Sequence, residues 1–168
     1  MWKRFITITL ISAIFSTSSV HAAGLEALFA GFEKGCDMNP RFFTFHESLV
    51  RENRQTRSGV SYYKPGNPHL PKGIEGSLGR MSLKNMDDFT LATLPLQGKF
   101  YGLPVIRYDA GFGNRSGVKF VHLIIDAPTS KVRNVFKQKR LRISSVDSYA
   151  ATLKSEGRRT KLICDWSM

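Results

Sequence analysis

The chain has 168 residues, of which 42% are hydrophobic, 23% charged and 11% aromatic, a balance that excludes a disordered, collagen-like or multi-pass membrane protein. Lys and Arg number 25 against 13 Asp and Glu, a formal net charge of +12, so acidic partners are favoured on electrostatic grounds.

At the start, Lys3 and Arg4 precede an apolar stretch over 5–15, followed by Ser and Thr and then Val20-His21-Ala22. This three-part plan predicts a secretory signal peptide over 1–22, cleaved after Ala22. The stretch is broken by Thr7, Thr9 and Ser12 and is shorter than the roughly 20 residues of a membrane-spanning helix. Residues 23–168 then read as a single globular domain, with no transmembrane segment after cleavage. The expected destination is the periplasm, with an extracellular one as the alternative. Export makes Cys36 and Cys164 an expected disulfide, since neither cysteine lies in a C-x-x-C or Cys/His metal spacing.

Leu25, Leu28, Phe29 and Phe32 recur at helical spacing up to Gly35 and predict a first helix. Asn39-Pro40 supplies a cap and first-turn pair, and Phe42, Phe45 and Leu49 carry a second helix to Glu52. The polar run 51–58 and the Gly/Pro-rich run 64–79 read as a long connection with one short strand at 60–63. Strands follow at 89–94, 99–108 and 118–125, separated by Gln97-Gly98 and by 109–117, with Pro95 and Pro104 at edges or bulges. Pro128-Thr129-Ser130 opens a helix with Val132, Val135 and Phe136 inward and Lys131, Arg133 and Lys137 outward. A final hairpin pairs 149–153 with 161–166 around Ser155-Glu156-Gly157-Arg158. The fold class is α+β: an antiparallel sheet of about five strands, amino-terminal helices, and one helix between the third and fourth main strands.

Chemical motifs are mostly missing. No G-x-S-x-G, H-E-x-x-H, P-loop or EF-hand loop occurs. His46, His69 and His122 are too scattered to form a metal site by spacing, so no metal, cofactor or catalytic residue is expected. Alternation places His122 on the face of Phe120 and Ile124, as a partly buried structural histidine. Only folding in space can unite it with Asp109 and Asp126 in a triad-like site. The glycine-rich loop 111–117 reads as a hairpin loop displaying Phe112, Asn114 and Arg115 for partner recognition.

The clearest charge feature is Lys131, Arg133, Lys137, Lys139, Arg140 and Arg142, with no acidic residue between Asp126 and Asp147. It suits docking of an acidic partner protein or an anionic envelope component. Nucleic acid is disfavoured by export and by the lack of an aromatic and basic interleave. The leading expectation is an exported, non-enzymatic binding protein of inhibitor or immunity type. The alternative is an envelope hydrolase using Glu47, Asp109 or Asp126 on cell-wall or glycan substrate, and a third reading is a small-ligand carrier lined by aromatic side chains.

Overall fold

The computed structural model describes residues 24–167 except 33, 57, 58, 72, 73, 75–77, 116, 118 and 144–150. The expected signal peptide and the start of the expected strand at 149 lie outside the described residues. In chain order the elements are α1 (Glu26–Phe29), α2 (Pro40–Ser48), β1 (Val50–Gln55), β2 (Ser61–Pro65), β3 (Ser82–Asn85), β4 (Phe89–Phe100), β5 (Leu103–Gly113), β6 (Lys119–Ile125), α3 (Thr129–Gln138), β7 (Thr152–Glu156) and β8 (Arg159–Asp165).

Two antiparallel sheets result. One is a ribbon of β1 and β2, and the other has six strands in the order β3-β4-β5-β6-β8-β7. The α+β class with antiparallel pairing therefore holds, but the main sheet has six strands where about five were expected. α3 follows the fourth strand of that sheet instead of the third.

Three boundaries depart from expectation for physical reasons. The four apolar residues of the first predicted helix are all buried, yet only Glu26–Phe29 is helical, because the chain turns extended at Ala30, where ψ is 128°. The polar run after α2 is strand β1, because its backbone finds partners in β2 from Val50↔Pro65 to Gln55↔Ser61. Gln97-Gly98 is not a turn: β4 runs through it with even-numbered residues inward from Thr90 to Phe100. Pro95 is tolerated because its carbonyl accepts from the Gly79 N–H at 2.8 Å, on the side where β3 has already ended opposite Thr93. The reversal comes later, at Tyr101-Gly102, with φ of 51° and 77°, the left-handed pair that a two-residue hairpin needs.

All three helices pack on one face of the main sheet. Phe29 of α1 sits at the centre, with ring centroids 6.3 Å from Phe42 and from Phe45 of α2, 6.4 Å from Phe100 of β4 and 5.6 Å from Tyr108 of β5. Phe136 of α3 joins through Phe100 at 6.1 Å. Each buried aromatic of this kind contributes about 1.5–3 kcal/mol by leaving water. The disulfide Cys36–Cys164 ties the segment before α2 to β8, as expected for the cysteine pair.

The opposite face of the sheet carries no described helix, and a bulge decides what it displays. Ile106 of β5 is an extra residue between the pairs Val105↔Ile125 and Arg107↔Ile124 that β5 forms with β6. Inward parity switches from Leu103 and Val105 to Tyr108 and Ala110, because one extra residue exchanges the two faces of a strand. Arg107 and Asp109 are thereby turned outward, opposite Ile124 and His122 of β6.

Candidate functional site

The basic segment is a single exposed ridge. α3 forms because Val132 and Phe136, four residues apart, are buried at 0% and 2% exposure with Val135 packed half-buried beside them, which leaves the opposite side of the helix to solvent. Lys131, Arg133 and Lys137 on the helix and Lys139, Arg140 and Arg142 beyond it are all exposed. Among the described residues none of these six is ion-paired with a carboxylate. Lys34 is bridged to Arg142 through the backbone, which adds a seventh cation to that end of the ridge.

The helix ends in a reverse turn in which Leu141 N–H donates to Phe136 O at 2.9 Å and Arg140 N–H to Lys137 O at 3.0 Å. This pattern places its next-to-last residue in the left-handed region, normally glycine. Here that residue is Arg140, with φ of 56°. Arg140→Gly is therefore expected to raise the unfolding free energy by about 0.5–1 kcal/mol, the relief of side-chain crowding exceeding the added chain entropy. The denaturant midpoint reads this directly, and a loss of stability would show that the arginine side chain makes a compensating contact.

Of the three side chains expected to be displayed by the 111–117 loop, one is exposed. Phe112 belongs to β5 and stacks on His46 with centroids 4.6 Å apart. Asn114 is 6% exposed. Its side-chain amide donates to Met86 O, its side-chain oxygen accepts from the Thr90 hydroxyl, and its backbone bonds Asp88 O and Ser61 N–H. Instead of being displayed, its side chain and backbone latch the end of β5 to β4 and β2. Arg115 alone of the three is exposed.

A second polar cluster lies on the helix-free face. Register sets Thr93, Asp109, His122 and Ile163 side by side across four strands. A concavity of about 400 Å³ beside them is lined by His122, Lys154, Ser155, Glu156, Lys161, Ile163 and Asp165. Its charges are largely matched: Arg107 bonds Asp109 at 3.0 Å and Glu156 at 3.4 Å, and Lys161 stands 4.0 Å from Glu156. Burial raises the Asp109 pKa against the opposing pull of Arg107. Burial, reinforced by Lys161, lowers that of His122 to about 4, so its ring is neutral at pH 7. The Phe120 ring stacks on His122 at 4.7 Å, in keeping with a partly buried, packed histidine.

Folding thus brings Asp109 beside His122, but Asp126 is engaged with Arg159 at 3.1 Å. Glu47 is exposed on α2, on the other side of the sheet from Asp109. The three candidate hydrolytic carboxylates are not brought together. Among the described residues no group of three or more His, Cys, Asp or Glu is placed to hold a metal ion, and no helix is long and apolar enough to cross a membrane.

One pairing lies beyond reach of any local pattern. His46 is 1% exposed, and its Nδ1 stands 2.9 Å from the Tyr108 hydroxyl, 62 residues away. Phe42 and Phe112 stack on the two sides of the imidazole, at 5.6 and 4.6 Å. Burial raises the Tyr108 pKa well above its ordinary value, so the phenol keeps its proton and shares one hydrogen bond with Nδ1, the donor being set by the imidazole tautomer. The other ring nitrogen, Nε2, is buried without a partner among the described residues. The helical spacing put His46 inside α2, and its closeness to buried Phe42 and Phe45 was the one hint of its burial. The chain matches no protein-family model, no curated protein and no solved structure.

Proposed function

We propose that this protein is an exported, non-enzymatic binding protein of inhibitor or immunity type, whose basic ridge docks on an acidic surface of a partner protein. The observation that carries this reading is a contrast between two charged surfaces. On the helix-free face, cations answer carboxylates of the same chain, whereas the six ridge cations have no such answer among the described residues. Unpaired like charges packed along one helix repel one another, and an anionic partner relieves that repulsion.

An acidic protein surface fits better than a lipid headgroup. The only large hydrophobic side chain more than about a third exposed among the described residues is Met86, at 39%, outside the ridge. Stable attachment to a membrane generally needs an apolar anchor besides a basic patch. The disulfide supports export, since such bonds persist in oxidising compartments. The hydrolase alternative has less support, because Glu47 and Asp109 stand on opposite sides of the sheet and Asp126 is held by Arg159.

The test compares the exported chain with its Lys131→Gln, Arg133→Gln, Lys137→Gln triple variant as baits for envelope extract, washed at low and then moderate salt. Captured protein is identified by mass spectrometry and its affinity remeasured with purified components. Wild type is expected to retain one stoichiometric protein, which the variant binds about tenfold or more weakly. Equal binding by both baits, or recovery of only heterogeneous, salt-labile acidic material, would overturn the reading.

A further inference from the structure

A second concavity lies on the helix side of the molecule, between α2 and the chain over 66–71. It holds about 450 Å³ and is lined by Arg41, Thr44, His69, Leu70 and Pro71, a volume in the range of small-molecule sites.

Its outer wall is pinned to the helix. Gly66 N–H donates to Leu49 O at 2.7 Å, and His69 N–H donates to the Ser48 hydroxyl oxygen at 2.6 Å. Gly66 lies so close to the Ser48 carbonyl that a Cβ has no room there. Leu70 packs against the core, and Ile74, four residues on, is 4% exposed. These contacts fix the described wall of the cleft relative to α2.

Its chemistry is one-sided. Arg41 is exposed, and among the described residues no carboxylate pairs with it. The Thr44 hydroxyl already donates to Pro40 O at 3.1 Å. Among the described residues, the free donors at the cleft are thus the Arg41 guanidinium and the His69 ring, facing an apolar wall of Leu70 and Pro71. One guanidinium forks onto one carboxylate, and the apolar wall calls for an apolar body behind the charge. A phosphate group would present more negative oxygen than one guanidinium and one imidazole can satisfy.

We propose that this cleft is a binding site for a small organic acid with one carboxylate and an apolar body, held by Arg41 and His69 at the charged end and by Leu70 and Pro71 along its length. The site is separate from the ridge and stands whether or not the ridge binds a protein.

Three probes of the same body test it: 4-phenylbutyrate, 4-phenylbutanol and 4-phenylbutylamine, titrated into the protein purified after export and followed by amide NMR shifts. The acid is expected to give saturable shifts confined to 41–48 and 66–71, with the amine giving none and the alcohol binding about tenfold more weakly. Arg41→Gln is expected to weaken the acid by about tenfold or more. Arg41 is exposed, so this variant should fold, and unchanged amide spectra elsewhere would verify it. Lys84→Gln, an exposed cation on β3, is expected to leave acid binding unchanged. The proposal is overturned by equal binding of the three probes, by no saturation up to roughly 10 mM, by indifference to Arg41→Gln, or by equal sensitivity to Lys84→Gln.

Discussion

Replacing Cys36 and Cys164 together by alanine is expected to lower the unfolding free energy by about 2–5 kcal/mol. The two cysteines are 128 residues apart, so the bridge closes nearly the whole described chain into one loop. Long loops lose the most conformational freedom in the denatured state when they are closed, although the dependence on length is logarithmic. The native side of the balance is also favourable. Cys36 and Cys164 are 4% and 0% exposed, and the Trp166 indole N–H donates to Cys36 O at 3.3 Å, so the bridge anchors the last residues over α2. Guanidinium unfolding of the oxidised protein, the reduced protein and the double-alanine variant separates these contributions. The midpoint should fall for both unbridged forms, and the denaturant dependence should steepen because an unbridged chain exposes more surface on unfolding. A loss below about 0.5 kcal/mol would mean that sheet and helices alone hold the two ends together.

The parts of this fold that were legible before the structure are those with local causes. α3 was readable from its lead-in Pro128-Thr129 and from Val132 and Phe136 four residues apart, and it spans Thr129–Gln138. His122 could be placed with Phe120 and Ile124 because side chains alternate along a strand, and Phe120 does stack upon it. The disulfide was readable because two cysteines in an exported chain leave one intramolecular pairing. β1 was not readable. Its Arg51, Glu52 and Asn53 are exposed, and it is a strand only because β2 offers backbone partners. β4 was cut short because Pro95 and Gly98 usually break strands. What rescues it is the absence of a β3 partner opposite Pro95, a fact of sheet topology.

The candidate site divides in the same way. Ridge cations belong to one helix and the few residues that follow it, and could be found from the local sequence alone. Asn114 was misplaced because a glycine-rich run looks the same whether its asparagine points outward or folds back onto Thr90 and Met86. The Asp109 and His122 neighbourhood depends on the β5 bulge, whose one-residue shift turns Asp109 outward. The Arg41 cleft depends on a segment 25 residues or more downstream packing against α2, which no window along the chain contains.

Stability is expected to fall as pH is lowered from about 6.5 to 3, with His46 as the largest identified source. Burial, and to a lesser degree the charge of Lys119, lower its pKa from 6.5 to about 3. Within that window the unfolded chain binds a proton at His46 and the folded chain does not. Acid therefore favours unfolding, and the stability present above pH 6.5 is lost progressively down to about 3. Expressed in full, the shift amounts to about 4–5 kcal/mol, at 1.36 kcal/mol per unit. His122 acts with the same sign over the shorter span down to about 4. Asp109 acts with the opposite sign, since its raised folded pKa means stability is lost as pH climbs from 3.8 through the folded value.

His46→Phe isolates the main contributor, because a phenyl ring keeps the stack between Phe42 and Phe112. At pH 7 the variant should be less stable by about 1–3 kcal/mol, since the buried Tyr108 hydroxyl loses its hydrogen-bond partner. Its stability should then fall less steeply with acid, so that the two curves converge or cross between pH 5 and 3, the residual slope belonging to His122 and the remaining titrating groups. Denaturant unfolding at half-unit pH steps gives both curves. Parallel curves would place the acid sensitivity elsewhere and would mean that His46 takes up its proton in the folded state. Because the cost at neutral pH comes from the hydroxyl and the gain at low pH comes from the imidazole, the crossing itself distinguishes a lost hydrogen bond from a removed titration.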